Sequence, residues 1–284
     1  MKILGAAVSA IAIVSCGRIG FAPALSSDAT DVDGTAQDAL NCLGHDEDSD
    51  GVADSCDNCP ATANLDQLDI GEVINGELPD GVGDACDPRP AKTDDFITFF
   101  DACDQPSANF AYFGTVSYSQ DGTVLGSVLE TGSAELAYRA KMTRSAVRIE
   151  IIEASTAVGS QWAGFWYRDS DTDSRGVLAS VNRNVGTRPV SADLDETVPG
   201  LANNKSTPIA VAPELVSGMA FTLTIDTPRL TGGGDTLRLQ STNPFIDSMA
   251  SVSLAPTDII GKPYLEASMV KARIQYLIIY ASQE

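Results

Sequence analysis

The sequence predicts a mainly β protein in which a two-sheet β-sandwich follows a short irregular segment. Three observations predict this class. Beyond residue 109, short stretches of alternating apolar and polar side chains are separated by turns rich in Gly, Asp, Ser and Asn. The same region shows no sustained helical periodicity. Between Asp46 and Asp87 the chain carries thirteen acidic residues and no Lys or Arg, with few large apolar groups for a core.

The first sixteen residues have the pattern of an export signal. Lys2 precedes an apolar run, residues 3–14, that is too short to span a bilayer and is soon followed by Cys16. The end of the run, Ile-Val-Ser-Cys, resembles the lipobox of bacterial lipoproteins. That resemblance implies removal of residues 1–15 and a lipid anchor on Cys16. With Gly17 next, it also implies sorting to the outer membrane or cell surface of a Gram-negative bacterium. The alternative is an ordinary signal peptide with an incidental cysteine.

Residues 16–41 are small, polar and acidic, and Phe21 is their one aromatic side chain. Such a composition cannot bury enough apolar area to offset the entropy cost of ordering the chain. We therefore expect a flexible tether between the anchor and the remainder of the protein.

The net charge of −21 limits the classes of partner. The 18 Lys and Arg residues do not gather into a basic run, which excludes nucleic acid as a partner. Divalent cations suit such a chain, because crowded carboxylates repel one another unless water or a cation compensates them.

The acidic segment has the ligand spacing of a calcium loop. Counted from Asp46 as position 1, acidic side chains stand at positions 3, 5, 9 and 12, with glycine at 6 and a backbone carbonyl at 7. Calcium loops use oxygen ligands at this spacing, and the glycine permits the sharp turn. The predicted ligands of Ca²⁺ are Asp46, Asp48, Asp50, the Val52 carbonyl, Asp54 and Asp57. Flanking amphipathic helices are missing, so this is not an EF-hand pair.

In residues 42–90, the stretches DGVADSCDNCP and DGVGDACD place acids and cysteines in a characteristic order. In this order the segment resembles the thrombospondin type 3 repeat. We call residues 42–90 the acidic repeat. The resemblance implies a second calcium site formed by Asn64, Asp69, Asp80, Asp84 and Asp87. Between Asp69 and Asp80 the chain departs from the family pattern. The position-3 ligand must therefore come from Glu72, Glu77 or a carbonyl, or be lost.

By the same resemblance, two disulfides are expected, Cys59–Cys86 and Cys42–Cys56. That leaves Cys103 as a buried thiol, half of an intermolecular bridge, or a partner for Cys42. A redox dithiol in the CDNC stretch is disfavoured, because its neighbours are carboxylates rather than the positive groups that lower a thiol pKa. A four-thiolate zinc site is disfavoured as well, since there is one knuckle rather than two and exported thiols oxidise.

Two prolines in residues 87–92 predict a stiff joint to a β-sandwich that occupies residues 91–284. The predicted strands cover residues 109–119, 122–130, 134–142, 146–154, 161–169, 176–184, 218–226, 235–242 and 270–281. The size of the domain and its closing strand resemble the concanavalin A-like jelly roll of lectin and laminin-G modules. This resemblance covers the architecture alone.

Two features of the sandwich suggest binding. Aromatic Trp162 and Trp166 precede a loop with three acids, Asp169, Asp171 and Asp173. Aromatic rings beside a calcium-organised loop suit sugar stacking, whereas the alternative is that the aromatics are core and the loop a solvated hairpin. A cluster of basic residues is either a polar sheet face or the docking surface of the acidic repeat. The cluster comprises Arg139, Lys141, Arg144 and Arg148.

Catalysis is not expected. The sole histidine is His45, beside the calcium loop, so the sandwich cannot build a nucleophile activated by histidine. Glu150 and Glu153 are three apart in a predicted strand and therefore lie on opposite faces, which disfavours the paired carboxylates of a glycosidase.

The sequence thus predicts a lipid-anchored, exported protein that binds Ca²⁺ and whose β-sandwich acts in adhesion or in binding an extracellular ligand, either a glycan or a surface protein. One alternative is a calcium-stiffened structural spacer without a ligand of its own. The other is a polysaccharide hydrolase.

Overall fold

A computed structural model describes the chain in eight stretches, residues 44–119, 121–137, 139–168, 176–184, 189–197, 204–227, 235–252 and 259–283. They contain seventeen β-strands and one short 3-10 helix, Val73–Asn75, within the acidic repeat. The predicted mainly β class is confirmed. Within these stretches, no helix combines the length and the apolar character needed to cross a membrane.

The strands follow one another from residue 95 to the end of the chain. They are β1 Asp95–Asp101, β2 Phe110–Gly114, β3 Val116–Ser119, β4 Gly122–Leu125, β5 Gly132–Leu136, β6 Ala140–Met142, β7 Arg144–Ala154, β8 Ser160–Arg168, β9 Gly176–Asn184, β10 Val190–Thr197, β11 Asn204–Lys205, β12 Ile209–Ala212, β13 Ala220–Asp226, β14 Thr236–Thr242, β15 Phe245–Ser251, β16 Ile259–Ser268 and β17 Val270–Ser282.

These strands form two antiparallel sheets that pack as a sandwich. The first sheet has the order β15-β14-β13-β7-β17-β4-β3, and β1 also pairs with β17. The second has the order β11-β10-β9-β8-β16-β5-β2, with β12 paired to β10 and β6 paired to β16. The predicted two-sheet architecture is confirmed.

The core between the sheets is built by period-two alternation. On β13 the side chains of Phe221, Leu223 and Ile225 are fully buried, while the intervening threonines are half-buried. On β8 the inward residues are Ala163, Phe165 and Tyr167. The residues that alternate with this second set point to the outer face of the second sheet.

Strand boundaries differ from the prediction where local chemistry interrupts the pattern. The predicted strand 109–119 divides into β2 and β3, which belong to different sheets. Gly114, at the division, has φ of 70°, and a Cβ there would lie 2.2 Å from the Thr131 carbonyl oxygen. Glycine therefore allows the chain to leave one sheet and enter the other.

The alternation in the sequence does not predict β1, β10, β11, β12, β15 or β16. The prediction missed β16 because Gly261 and Pro263, which are unfavourable inside a strand, interrupt its pattern. In the structure this strand nevertheless has neighbours on both edges. Pro263 lies between the residues that pair with β5 and those that pair with β6. A residue without an N–H is tolerated at this interruption of the ladder.

The acidic repeat packs on the outer face of β17. Val82 and the cysteines Cys59 and Cys86 form a buried apolar cluster with side chains of the first sheet. The sheet side chains of this cluster are Ile97, Ala146, Tyr276, Ile278 and Tyr280. The repeat thus has a core only because the sandwich supplies most of it.

Truncation of a core side chain should destabilise the sandwich. We expect Phe165→Ala, at a site with 0% exposure, to lower the free energy of unfolding by about 3–5 kcal/mol, because it leaves a cavity. The matched control is Phe245→Ala, at a site with 84% exposure, which should change that free energy by less than about 0.5 kcal/mol. Urea unfolding followed by circular dichroism measures both, and equal effects would contradict the assigned core.

Candidate functional site

The first acidic loop brings three carboxylates together. Ligand oxygens of Asp46, Asp48 and Asp50 all lie within 4.8 Å of one another. Backbone amides hold all three side chains in place: Gly51 N donates to Asp46 Oδ2 over 3.0 Å, Asp50 N to Asp48 Oδ1 over 3.1 Å and Val52 N to Asp50 Oδ1 over 2.8 Å. Gly51 has φ of 97°, as the turn requires. The carboxylates therefore converge because the backbone wraps around them.

The remaining predicted ligands of this loop are held by other contacts. Asp54 accepts hydrogen bonds from His45 Nδ1 and from Glu47 N, each over 2.9 Å. Asp57 is 1% exposed; its Oδ1 accepts from Cys59 N over 2.7 Å, and its buried Oδ2 accepts no hydrogen bond from the described residues. Asn64, which the resemblance assigned to the second site, lies instead at the first loop, where its N–H donates to Asp50 Oδ2 over 2.8 Å.

The electrostatics of the first loop favour a cation. Burial raises the pKa of Glu47 to about 7 and that of Asp48 to about 6, and neighbouring carboxylates act in the same direction. Burial also raises the pKa of Asp57. Carboxylates held together in this way resist ionisation, and a bound divalent ion would reverse that preference.

The second acidic loop repeats the hydrogen bonds of the first. Gly81 N donates to Asp69 Oδ2 over 2.8 Å, as Gly51 N does to Asp46 Oδ2. Val82 N donates to Asp80 Oδ1 over 3.0 Å, and Gly81 has φ of 94°. The two loops are therefore structural repeats, although their sequences differ in spacing.

Glu72 occupies the place of Asp48 in the second loop. Ligand oxygens of Asp69, Glu72 and Asp80 lie within 4.8 Å of one another, parallel to the group in the first loop. Of the alternatives that the sequence left open, the structure brings in Glu72. Glu77 is exposed, and its Oε2 accepts from Thr93.

Two further residues predicted to bind calcium lie around the second loop. Asp84 Oδ1 accepts from Ile70 N over 3.0 Å and from Gly71 N over 2.9 Å. Asp87 is 5% exposed, and its Oδ1 accepts from Arg89 N over 2.6 Å. Asp84 thus secures the backbone, whereas Asp87 lies with the converging carboxylates.

The described cysteines include disulfide-bonded residues and one free thiol. The predicted disulfide Cys59–Cys86 is confirmed, with a Cα–Cα distance of 5.6 Å. Cys56 is disulfide-bonded, and its predicted partner Cys42 lies outside the described residues. Cys103 is a free thiol, 3% exposed, whose pKa is raised by burial, as expected of an inert core cysteine.

One of the basic residues joins the acidic repeat to the sandwich. Arg144 Nη1 donates to the Cys86 carbonyl oxygen over 3.3 Å, and its Nε forms an ion pair with Asp226. Arg148 instead donates to Gln275 Oε1 over 2.7 Å. The docking alternative therefore holds for Arg144.

A groove of about 640 Å³ crosses the outer face of the second sheet. Its apolar wall is formed by Trp162 and Trp166, which lie on the same face of β8 with ring centroids 6.1 Å apart and ring planes at 72°. Both side chains are half-buried, so they are neither core nor freely exposed. The predicted acids Asp169, Asp171 and Asp173 lie outside the described residues.

The opposite wall of the groove is polar and comes from β9, β10 and β11. It includes Asn182, Asp193, Asp195 and Lys205. Lys205 Nζ forms an ion pair with Asp195 Oδ2 over 3.0 Å. The Oδ1 atoms of Asp193 and Asp195 are shielded from solvent and accept no hydrogen bond from the described residues. Sequence reasoning missed this wall because it did not predict β10.

No protein-family model and no curated protein matches the sequence. Several solved structures are similar to this chain at low identity. The carbohydrate-binding module CBM66 from Bacillus subtilis is 14% identical, with 61% of this chain and 96% of that chain covered and a TM-score of 0.43. The seed lectin of Lotus tetragonolobus is 10% identical, with 66% and 99% covered and a TM-score of 0.46. The exoplasmic/lumenal domain of VIP36 in its Ca2+/Man2-bound form is 9% identical, with 63% and 83% covered and a TM-score of 0.45.

Proposed function

We propose that this protein is a calcium-binding surface lipoprotein whose β-sandwich binds a glycan. The observation that carries the proposal of glycan binding is the groove lined by Trp162 and Trp166 on β8 and by Asp193 and Asp195 on β10. A pocket with one aromatic wall and a few placed polar groups is the usual form of a small-ligand site. Here the aromatic side chains suit the apolar face of a sugar ring, and the polar side chains suit its hydroxyl groups.

The aromatic wall suits the apolar face of a sugar ring. Indole faces carry a partial negative charge, which attracts the slightly positive C–H groups of a pyranose. Gly164 lies between the two tryptophans on β8, and a Cβ there would lie 2.2 Å from the Ala179 carbonyl oxygen. The glycine therefore lets β9 approach closely between the two tryptophans, where Ser180 lies opposite Gly164.

The polar wall suits sugar hydroxyls. A carboxylate oxygen accepts a hydrogen bond from a hydroxyl, and an amide such as that of Asn182 both donates and accepts. Burial raises the pKa of Asp195, and the ion pair with Lys205 opposes that shift.

Removal of either tryptophan should weaken glycan binding. Glycan-array screening of the full chain identifies an oligosaccharide, and calorimetry then measures its affinity for the parent and for Trp162→Ala and Trp166→Ala. We expect each variant to lose at least about tenfold, equivalent to about 1.4 kcal/mol, because a stacking surface is removed. Phe113→Ala, an exposed aromatic of β2 away from the groove, is the control that should bind normally. An array pattern unchanged in the double tryptophan variant would reject the groove as the glycan site.

We also propose that the acidic repeat binds Ca²⁺ through its first loop. The support is the convergence of Asp46, Asp48 and Asp50 around a backbone turn, with a buried Asp57 oxygen that has no described partner. Hard carboxylate and carbonyl oxygens are the ligands that Ca²⁺ prefers. A repeat that lacks a core of its own would gain stability from the ion.

Calcium titration by calorimetry tests the first loop. The full chain with its disulfides intact should bind at least one ion with a Kd of about 10⁻³ M or tighter, as extracellular calcium modules do. The variant with both Asp48→Asn and Asp50→Asn should bind at least one ion fewer, because two charged ligands are lost. Asp66→Asn, an exposed acid outside the loop, should bind like the parent. Equal stoichiometry in parent and double variant would refute the first site.

The proposed location at the outer membrane or cell surface depends on the lipid anchor at Cys16, which lies outside the described residues. Acyl chains contribute about 0.8 kcal/mol per buried methylene, so several chains hold a protein firmly at a membrane. The test is detergent extraction of a Gram-negative host that expresses the protein, followed by separation of the detergent and aqueous phases. The parent protein should enter the detergent phase, whereas the Cys16→Ser variant should stay in the aqueous phase. The anchor is disproved if both partition alike.

A further inference from the structure

The charges that line the groove with the two tryptophans do not balance. Lys205 Nζ forms an ion pair with Asp195 Oδ2 over 3.0 Å, and Arg183 Nη2 forms one with Glu214 Oε1 over 3.2 Å. Both basic residues of the lining are therefore already paired with a carboxylate. Asp193 also lines the groove, but it forms no hydrogen bond or ion pair with the described residues. One carboxylate of the groove is thus left without a cation.

Asp193 stands in line with the space between the two tryptophans. It pairs with Ser180 on β9, and Ser180 pairs in turn with Gly164 on β8, midway between Trp162 and Trp166. The middle of this row is low, because glycine has no side chain and serine carries a single hydroxyl. The strands at its two ends, β8 and β10, are two strand spacings apart, about 10 Å. A ligand that lies over Ser180 can therefore contact the tryptophans on one side and Asp193 on the other.

The two tryptophans also favour a cation. The ring planes of Trp162 and Trp166 meet at 72° with centroids 6.1 Å apart, so the rings form a corner rather than one flat platform. An ammonium group within about 6 Å of an indole centroid is attracted by the negative face of the ring. Both side chains are half-buried, and this attraction is stronger where water is partly excluded. The aromatic side of the groove therefore adds to the preference that Asp193 sets.

The charge of the whole protein acts in the same direction. A net charge of −21 raises the local concentration of cations at the surface and lowers that of anions. Sugars with carboxylate or sulfate groups are repelled by this field, and they meet basic residues that are already paired. Neutral sugars gain nothing from the charge of Asp193. A positively charged sugar gains from the carboxylate, from the indole faces and from the field.

We infer that the groove selects amino sugars, that is, sugars whose nitrogen is a free ammonium group. This inference rests on the proposed glycan binding of the groove and names the class of glycan. The sugar ring packs against Trp162 or Trp166, and its ammonium donates to the Asp193 carboxylate. An ammonium group carries only donors and a carboxylate only acceptors, so the hydrogen bond between them is charge-assisted. An N-acetyl or hydroxyl group at the same carbon supplies no charge to the carboxylate or to the rings.

Calorimetry of the full chain with three β-1,4-linked tetrasaccharides tests the selection. They share one backbone and differ at carbon 2, which carries an amine in the glucosamine tetramer, an N-acetyl group in the N-acetylglucosamine tetramer and a hydroxyl in cellotetraose. Below the pKa of the sugar amine, the glucosamine tetramer should bind at least about tenfold more tightly than the other two, as a hydrogen bond between charged groups allows. Added salt should reduce this preference, because ions screen the charges of an open groove.

Asp193→Asn is the decisive variant, because it keeps the size of the side chain and removes its charge. We expect it to bind the glucosamine tetramer at least about tenfold more weakly than the parent does, and to bind the two uncharged tetramers as the parent does. Asp121→Asn is the matched control, since it makes the same change in net charge at an exposed site between β3 and β4 of the first sheet. It should leave the preference for the amine intact. Near-ultraviolet circular dichroism confirms that each variant is folded before it is compared.

Three results would overturn the inference. An affinity of the parent for the glucosamine tetramer no higher than for the other two would show that the groove does not select the amine. A preference that persists in Asp193→Asn would place the ammonium at another residue. Either result leaves the glycan binding of the groove standing. Failure of every oligosaccharide on the glycan array, amino sugars included, would instead reject the proposed glycan binding and this inference together.

Discussion

The packing of the acidic repeat against the sandwich depends on the burial of both faces of β17. Its inward side chains, such as Leu277 and Ile279, belong to the core between the sheets. Its outward side chains, including Tyr276 and Ile278, pack against the acidic repeat. Burial of one large apolar side chain contributes about 1.5–3 kcal/mol, so the outer face of this single strand is a substantial source of stability for a repeat with no core of its own.

Apolar packing and charge repulsion oppose each other at the same joint. The disulfide Cys59–Cys86 lies in the apolar cluster that the repeat forms with the first sheet, and the carboxylates of Asp80, Asp87 and Asp95 converge at the start of β1, next to Cys86 in sequence. Burial raises the pKa of Asp80 to about 6, and it raises the pKa of Asp87 as well, with adjacent carboxylates adding to both shifts. Buried carboxylates that converge in this way favour either bound protons or a cation.

Short sequence patterns predicted those strands and loops whose form depends on residues close together in the chain. Alternation located β9 at its observed bounds, residues 176–184, and aspartate spacing located the first acidic loop. The part that was not predicted depends on partners distant in sequence. Trp162 and Trp166 were visible as candidates, but the acids across the groove come from β10, which the strand prediction missed although its apolar residues Val190, Ala192 and Leu194 alternate with polar ones. Asp95 looks like an ordinary strand terminus until the fold brings it to Asp80.

The two proposed binding sites lie on opposite sides of the sandwich. The acidic repeat covers the outer face of the first sheet, whereas the tryptophan groove lies on the outer face of the second. Calcium and sugar would not compete for one surface. Any influence of calcium on sugar affinity would have to pass through the packed core.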